Sequence, residues 1–171
     1  PLHDAHLPKQ LDGLILNGGY PELYAGALSA NKPMRQSVRH AVTAGLPCIA
    51  ECGGFMYLTD AIADAPMAGC LPGGCFDTGH LRRFGYVTLT AQRDNLLCAR
   101  GGSIPAHEFH HWDAEQPGDA FTAQKPSGKS WPCVHAGPTL YAGFPHFHFY
   151  ANPSFAARFL DACRKEKHRY A

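Results

Sequence analysis

The first regular pattern in the chain is a short, mostly apolar run, Leu11-Asp12-Gly13-Leu14-Ile15-Leu16-Asn17, which stops at Gly18-Gly19-Tyr20-Pro21-Glu22. A run too short for a helix and bounded by glycines predicts a buried parallel strand delivering a Gly-rich loop at its carboxyl end. From Glu22 to Ala44 the period becomes helical, with Leu23, Ala27, Leu28, Met34, Val38 and Val42 apolar, an interruption before Pro33 and a cap at Gly45. A second strand is expected from Pro47 to Glu51, and a helix from Gly53 to Ala63 that packs through Phe55, Met56 and Leu58. Strand, helix, strand and helix in this order predict a right-handed βαβ unit and a parallel sheet. Gly18-Gly19 and Cys52 then lie side by side at one sheet edge, at the carboxyl ends where ligands of open α/β sheets sit.

Past residue 63 the pattern changes. Residues 64 to 82 carry Pro66, Gly69, Pro72, Gly73, Gly74 and Gly79 and predict a long surface connection. Tyr86 to Thr90 alternates like a strand, a second strand runs through His107 to Trp112, and shorter ones are expected at 121 to 123, 134 to 135 and 139 to 141. Gln116 to Trp131 reads as a mobile hairpin or loop. Asn152-Pro153 starts a closing helix from Ser154 to about Lys167, with Phe155, Phe159, Leu160 and Cys163 on its apolar side. The expected fold class is α/β: a mostly parallel central sheet flanked by helices, with extra β strands in the second half, all in one domain over residues 1 to 171.

Composition narrows the functional classes. With 171 residues, 45% of them apolar and 17% charged, the chain can bury a core without metal or disulfide. Formal net charge is +1, and the one basic cluster, Arg164-Lys165-Glu166-Lys167-His168-Arg169, reads as a solvated helix end, which argues against nucleic-acid binding. No run approaches the roughly 18 apolar residues of a membrane span. Seven cysteines at irregular spacings without a CxxC pair point to a reducing cytoplasm. The first residue is Pro1, and the chain reads as a fragment of a longer polypeptide.

Candidate chemistry centres on Cys52, in the stretch Pro47-Cys48-Ile49-Ala50-Glu51-Cys52-Gly53-Gly54. A cysteine at a sharp strand-to-helix turn is pushed out of the sheet, and the following N–H groups can hold an oxyanion. Packing is the competing reading. His146 and His148 form an i, i+2 pair at a strand end and are candidates for a Cys/His catalytic pair. His107, His110 and His111 suggest metal, but on a strand His107 and His111 share one face while His110 takes the other, and the spacing is not that of HExxH on a helix. Cys70 and Cys75 could form a redox pair, with packing the favoured reading.

Five motifs in order carry a resemblance: LNGGYPELYA (16 to 25), GLPCIAECGGFMYL (45 to 58), Gly85-Tyr86, AHEFHHW (106 to 112) and FPHFHF (144 to 149). Through them nearly the whole chain resembles the class I, triad-type glutamine amidotransferases, whose fold is flavodoxin-like, and within them the glutaminase domains of the cobyrinic acid a,c-diamide synthases. The resemblance implies Cys52 as nucleophile, His146 as general base, and oxyanion donors at Gly18, Gly19 and Gly53. Phe109, His110 and His111 would bind glutamine, largely through their backbone. Where most of the family has His-Pro-Glu, this chain has His146-Phe147-His148. His148 thus takes the acid's place; His148, Glu51 or Glu108 could orient the base, and a dyad helped by His148 is the favoured reading.

The implied activity is hydrolysis of L-glutamine to glutamate and ammonia. The ammonia would pass to an N-terminal synthetase domain of the same polypeptide that amidates the corrinoid a and c carboxylates in cobalamin biosynthesis. ATP and Mg²⁺ are expected only there, because no GxxxxGK[ST] loop occurs in these residues; this part needs no cofactor and meets the corrinoid only through that domain. Other readings are the related cobyric acid or nickel sirohydrochlorin amidases, a non-catalytic docking domain, and a cysteine hydrolase acting on another substrate. An exposed apolar patch is expected where the partner domain docks.

Overall fold

The structure is a computed structural model that describes residues 1–167. In chain order it contains β1 (Leu14–Leu16), a 3₁₀ turn (Pro21–Tyr24), α1 (Ala25–Ala30), α2 (Lys32–Thr43), β2 (Cys48–Glu51) and α3 (Gly53–Leu58). Short strands follow: β3 (Ala61–Ile62), β4 (Ala65–Pro66), β5 (Gly74–Asp77), β6 (Arg83–Ala91), β7 (Ser103–His110) and β8 (Trp112–Ala114). Then come β9 (Phe121–Gln124), β10 (Ser130–Cys133), β11 (His135–Ala136), β12 (Leu140–Gly143), β13 (His146–Phe147), a second 3₁₀ turn (Phe149–Ala151) and α4 (Pro153–Lys167).

Three sheets result. The first has the order β1-β2-β12-β11, with β1, β2 and β12 parallel and β11 antiparallel. The second, β10-β9-β6-β7-β13, is antiparallel throughout. The third is small, with the order β4-β3-β5-β8. Strand β2 is central and buried on both faces, which is why its sequence is apolar without alternation. Cys48 and Ala50 join a core with Val38, Phe55, Met56, Leu58 and Phe144. Ile49 points the other way, into a core with Leu89, Phe121, Tyr141, Phe155 and Phe159. Burying a side chain such as Ile49 stabilises the fold by about 1.5–3 kcal/mol. The parallel sheet therefore lies between helices α2 and α3 on one side and, on the other, α4 with the antiparallel sheet.

Several expectations need correction. Strand β1 is parallel to β2 but lies at the sheet edge, so Ile15 is exposed rather than buried. The helix after Cys52 stops at Leu58, because Thr59 turns extended and its hydroxyl donates to the Met56 carbonyl at 2.8 Å; Ala61 and Ile62 become β3. Residues 64 to 82 are not only surface connection: β4 and β5 pair with β3, and Met67, Ala68, Leu71 and Cys75 are buried. Two-residue strands held by distant partners leave no periodicity to read. Gln116 to Trp131 resolves into the β9–β10 hairpin region, with Ser130 opposite Gln124. Leu160 is exposed on α4, unlike Phe155 and Phe159. The expected break before Pro33 falls at Asn31, whose side chain accepts from Met34 N–H. His168 and Arg169 of the basic tail lie outside the described residues. Among the described residues no helix is long and apolar enough to cross a membrane.

Candidate active site

Strand β2 ends in Cys52, whose backbone is held at φ +49°, ψ −106°, a region L-residues rarely adopt. Two backbone hydrogen bonds fix it: its N–H donates to Gly143 O at 2.8 Å, and its carbonyl accepts from Met56 N–H at 2.9 Å. Glycine is required at Gly54, because a Cβ there would stand 2.1 Å from the Leu16 carbonyl oxygen. Glycine is needed at Gly18 for the same reason, since its Cβ would stand 2.7 Å from His146 Cε1. A Cβ on Gly53 would lie 3.0 Å from Gly19 N. The Gly18-Gly19 loop, the Cys52 turn and the His146 ring are thus in direct contact.

His146 arrives from another sheet. Strand β12 runs beside β2 with Gly143 opposite Glu51, and after Phe144-Pro145 the chain enters β13, where His146 stands opposite His107 on β7. Glu51, one residue before Cys52, meets it there. Its Oε2 accepts from His146 Nδ1 at 3.2 Å and its Oε1 accepts the Phe147 N–H at 3.3 Å. That leaves Nε2 for Cys52. The side-chain hydrogen bond with Cys52, and then that with Glu51, push His146 up to about 10 against the opposing effect of burial. A ring held charged between Cys52 and a carboxylate can give a proton to a group bound at the sulfur while Glu51 offsets its charge.

His148 lies elsewhere: its side chain is exposed and its ring stacks on Tyr150, centroids 5.3 Å apart. Glu51, not His148, hydrogen-bonds the His146 ring.

A cavity of about 270 Å³ opens over Cys52, walled by Gly18, Gly19, Tyr20 and Glu22 on one side and Phe109, His110, His111 and Trp112 on the other, with Met56 and His146 completing it. All the expected site residues except His148 therefore converge or touch there, Gly53 through its contact with Gly19. Tyr20, Glu22, Met56 and Trp112 are not among the site residues expected from sequence, although all four sit inside the quoted motifs. His110 forms part of the wall through a fixed ring. Its Nδ1 donates to the Trp112 carbonyl at 2.6 Å, it stacks on Phe144 at 4.0 Å, and its Nε2 lies 3.6 Å from Glu108 Oε1.

His107 faces away, against Tyr86. Among the described residues no three His, Cys, Asp or Glu side chains form a metal-binding group. Cys48, Cys75 and Cys133 are buried, unlike Cys52, and burial pushes their thiols up to about 12. Cys70 and Cys75 are separate free thiols, and the Cys75 sulfur lies 3.7 Å from the Thr59 hydroxyl.

Residues 1–154 match the model of the CobB/CobQ-like glutamine amidotransferase domain. The chain belongs to this family. As a glutamine amidotransferase domain it is 38% identical over 172 residues to the cobyrinate a,c-diamide synthase of Dehalococcoides mccartyi (strain CBDB1), matching 94% of this chain and 37% of that protein. It is 35% identical over 167 residues to the hydrogenobyrinate a,c-diamide synthase of Streptomyces coelicolor, matching 96% of this chain and 34% of that one. The chain thus spans little more than a third of the length of these relatives. In fold it is similar to a crystal structure of a glutamine amidotransferase, with a TM-score of 0.63 at 18% identity over 91% of this chain and 81% of the other. The amidotransferase family and the α/β fold inferred from the five motifs are both borne out.

Proposed function

We propose that this domain hydrolyses L-glutamine through a Cys52 thioester and supplies ammonia to the remainder of a longer enzyme that amidates the a and c carboxylates of cobyrinic acid. One observation carries the reading: Cys52 and His146 line one cavity together with the Gly18-Gly19 loop, and Glu51 hydrogen-bonds the His146 ring from behind. The glutamine side-chain amide lies over Cys52, with the Phe109 to His111 segment along the substrate. The Cys52 sulfur attacks the amide carbon, and backbone N–H groups of Gly18-Gly19 and Gly53 take up the charge on the carbonyl oxygen. His146 Nε2–H protonates the leaving nitrogen, the C–N bond breaks, and ammonia departs from a γ-glutamyl thioester. His146, now neutral, takes a proton from water, the hydroxide adds to the thioester, and the sulfur leaves with release of glutamate. Glu51 holds the ring and offsets its charge throughout, the role that the family pattern gives to a carboxylate two positions beyond the histidine.

ATP, Mg²⁺ and carboxylate activation belong to the part of the polypeptide outside these residues. The relatives' names support the corrinoid acceptor, and the one from Streptomyces coelicolor extends it to hydrogenobyrinate. A glutamine analogue bearing an electrophilic carbon in place of the amide tests the reading. One equivalent should attach to Cys52, and to no other cysteine, with glutamine protecting; a folded sample that stays unlabelled between pH 6 and 9 would overturn it.

A further inference from the structure

The outer face of the β6–β7 sheet changes character along its length. At the end far from the cavity it is polar, with Thr88, Thr90 and Ser103 outward, as expected of an antiparallel sheet with one wet face. Toward the cavity the same face becomes aromatic. Phe84 stands opposite Phe109 and Tyr86 opposite His107, with ring centroids 5.8 and 5.2 Å apart. These rings are exposed: Tyr86 by 76%, Phe84 by 58% and Phe109 by 46%. Phe109 also walls the cavity over Cys52, and His107 lies beside His146 in the sheet, so the patch runs to the mouth of the site. Across that mouth Tyr20 and Leu23 are exposed by 65% and 72%. Apolar surface gathered around one opening marks an interface.

We infer that this aromatic collar is the surface on which the amidating part of the same polypeptide docks, with Phe84 and Tyr86 as its anchors. The inference rests on the proposed function for the identity of the occupant. The chain covers 37% of one synthase relative and 34% of another, so most of the enzyme's length lies outside it. Ammonia freed at Cys52 is protonated and lost in bulk water, so its consumer must cover the opening from which it leaves. The collar's chemistry fits a protein surface. A corrinoid bearing many carboxylates would be met by a cluster of arginine and lysine, whereas the outward rings here are aromatic and imidazole and the neighbouring Lys125 donates to the Phe84 carbonyl at 2.8 Å.

The test uses the full-length polypeptide beside the 171-residue chain. Hydroxyl-radical footprinting read by mass spectrometry should show Phe84 and Tyr86 heavily labelled in the chain and at least about fivefold less labelled in the full-length protein, as burial under a partner requires. The double variant Phe84→Ser, Tyr86→Ser, in full-length protein, should lose about 30-fold in glutamine-dependent amidation. Amidation driven by added ammonium and glutamine hydrolysis should both stay within about twofold. Equal labelling of both rings in the two proteins overturns the inference. So does protection in the 171-residue chain that grows with its concentration, which would make the occupant a second copy. Failure of glutamine hydrolysis with the rings still protected would instead overturn the proposed function and leave the interface standing.

Discussion

Two histidines wall the same cavity, each beside a glutamate, and their chemistry differs because of what holds each ring's second nitrogen. In the His146–Glu51 pair Nδ1 lies 3.2 Å from the carboxylate, which leaves the other ring nitrogen to the side of Cys52. His146 is half-buried, so its proton can reach substrate. In the His110–Glu108 pair the contact is 3.6 Å, both side chains are almost wholly enclosed, and the remaining nitrogen is spent on the Trp112 carbonyl. The first pair can move a proton; the second can only hold a wall in place. A histidine beside a carboxylate is therefore not by itself a catalytic signature: the free valence of the ring decides.

The comparison breaks most visibly at the sulfur. Cys52→Ala should lower glutamine hydrolysis by about 10⁵-fold or more while leaving the fold intact, measured as ammonia released and by circular dichroism. Glu51→Gln comes next. Losing the charge behind His146 should cost about 10⁴-fold in kcat, as removal of a base-orienting carboxylate does elsewhere. It should also draw the alkaline limb of the pH profile down from about 10 toward the ordinary imidazole value of 6.5. The sign follows from the raised value: the interactions favouring charged His146 stabilise the fold fully below pH 6.5 and are lost as pH rises through about 10. Glu51→Gln should flatten that loss in thermal melts taken from pH 6 to 10.

Glu108→Ala should act on the wall instead. Removing the buried carboxylate that lies 3.6 Å from His110 Nε2 should cost about 3 kcal/mol in urea unfolding, and in glutamine hydrolysis KM should rise more than kcat falls. Gln at position 108 should restore most of both, which it should not do at position 51. Smallest of all, His148→Ala should change kcat/KM by less than about twofold, since its ring rests on Tyr150 in solvent. A large loss there would return the orienting role to His148 and undo the contrast between the pairs.

How much of this was readable beforehand follows the distance between partners along the chain. The Cys52 turn and the Gly18-Gly19 loop were legible because each depends on a dozen or fewer neighbouring residues and on the need for glycine at close approach; the parallel pairing of their strands, Leu14 opposite Cys48, followed from the helical segment between them. Glu51 could only be one candidate among three. It adjoins Cys52 in sequence, but its meeting with His146, 95 residues on, depends on β12 crossing from one sheet to the other. The small β3–β5–β8 sheet left no trace, since its strands are two to four residues long and owe their pairing to remote partners. Leu160 and Ile15 show the limit of apolar pattern itself: both obey the period and both face water.

The crossing at Phe144-Pro145 makes the site a joint between two sheets. Cys52 and Glu51 ride on the parallel sheet, and His146 rides on the last strand of the antiparallel one. The spacing of Cys52 and His146 is therefore set by the angle at which two rigid plates meet, much as the bite of pliers is set at the rivet. Whatever presses on the outer plate shares a backbone ladder with the His146 imidazole, only one strand away.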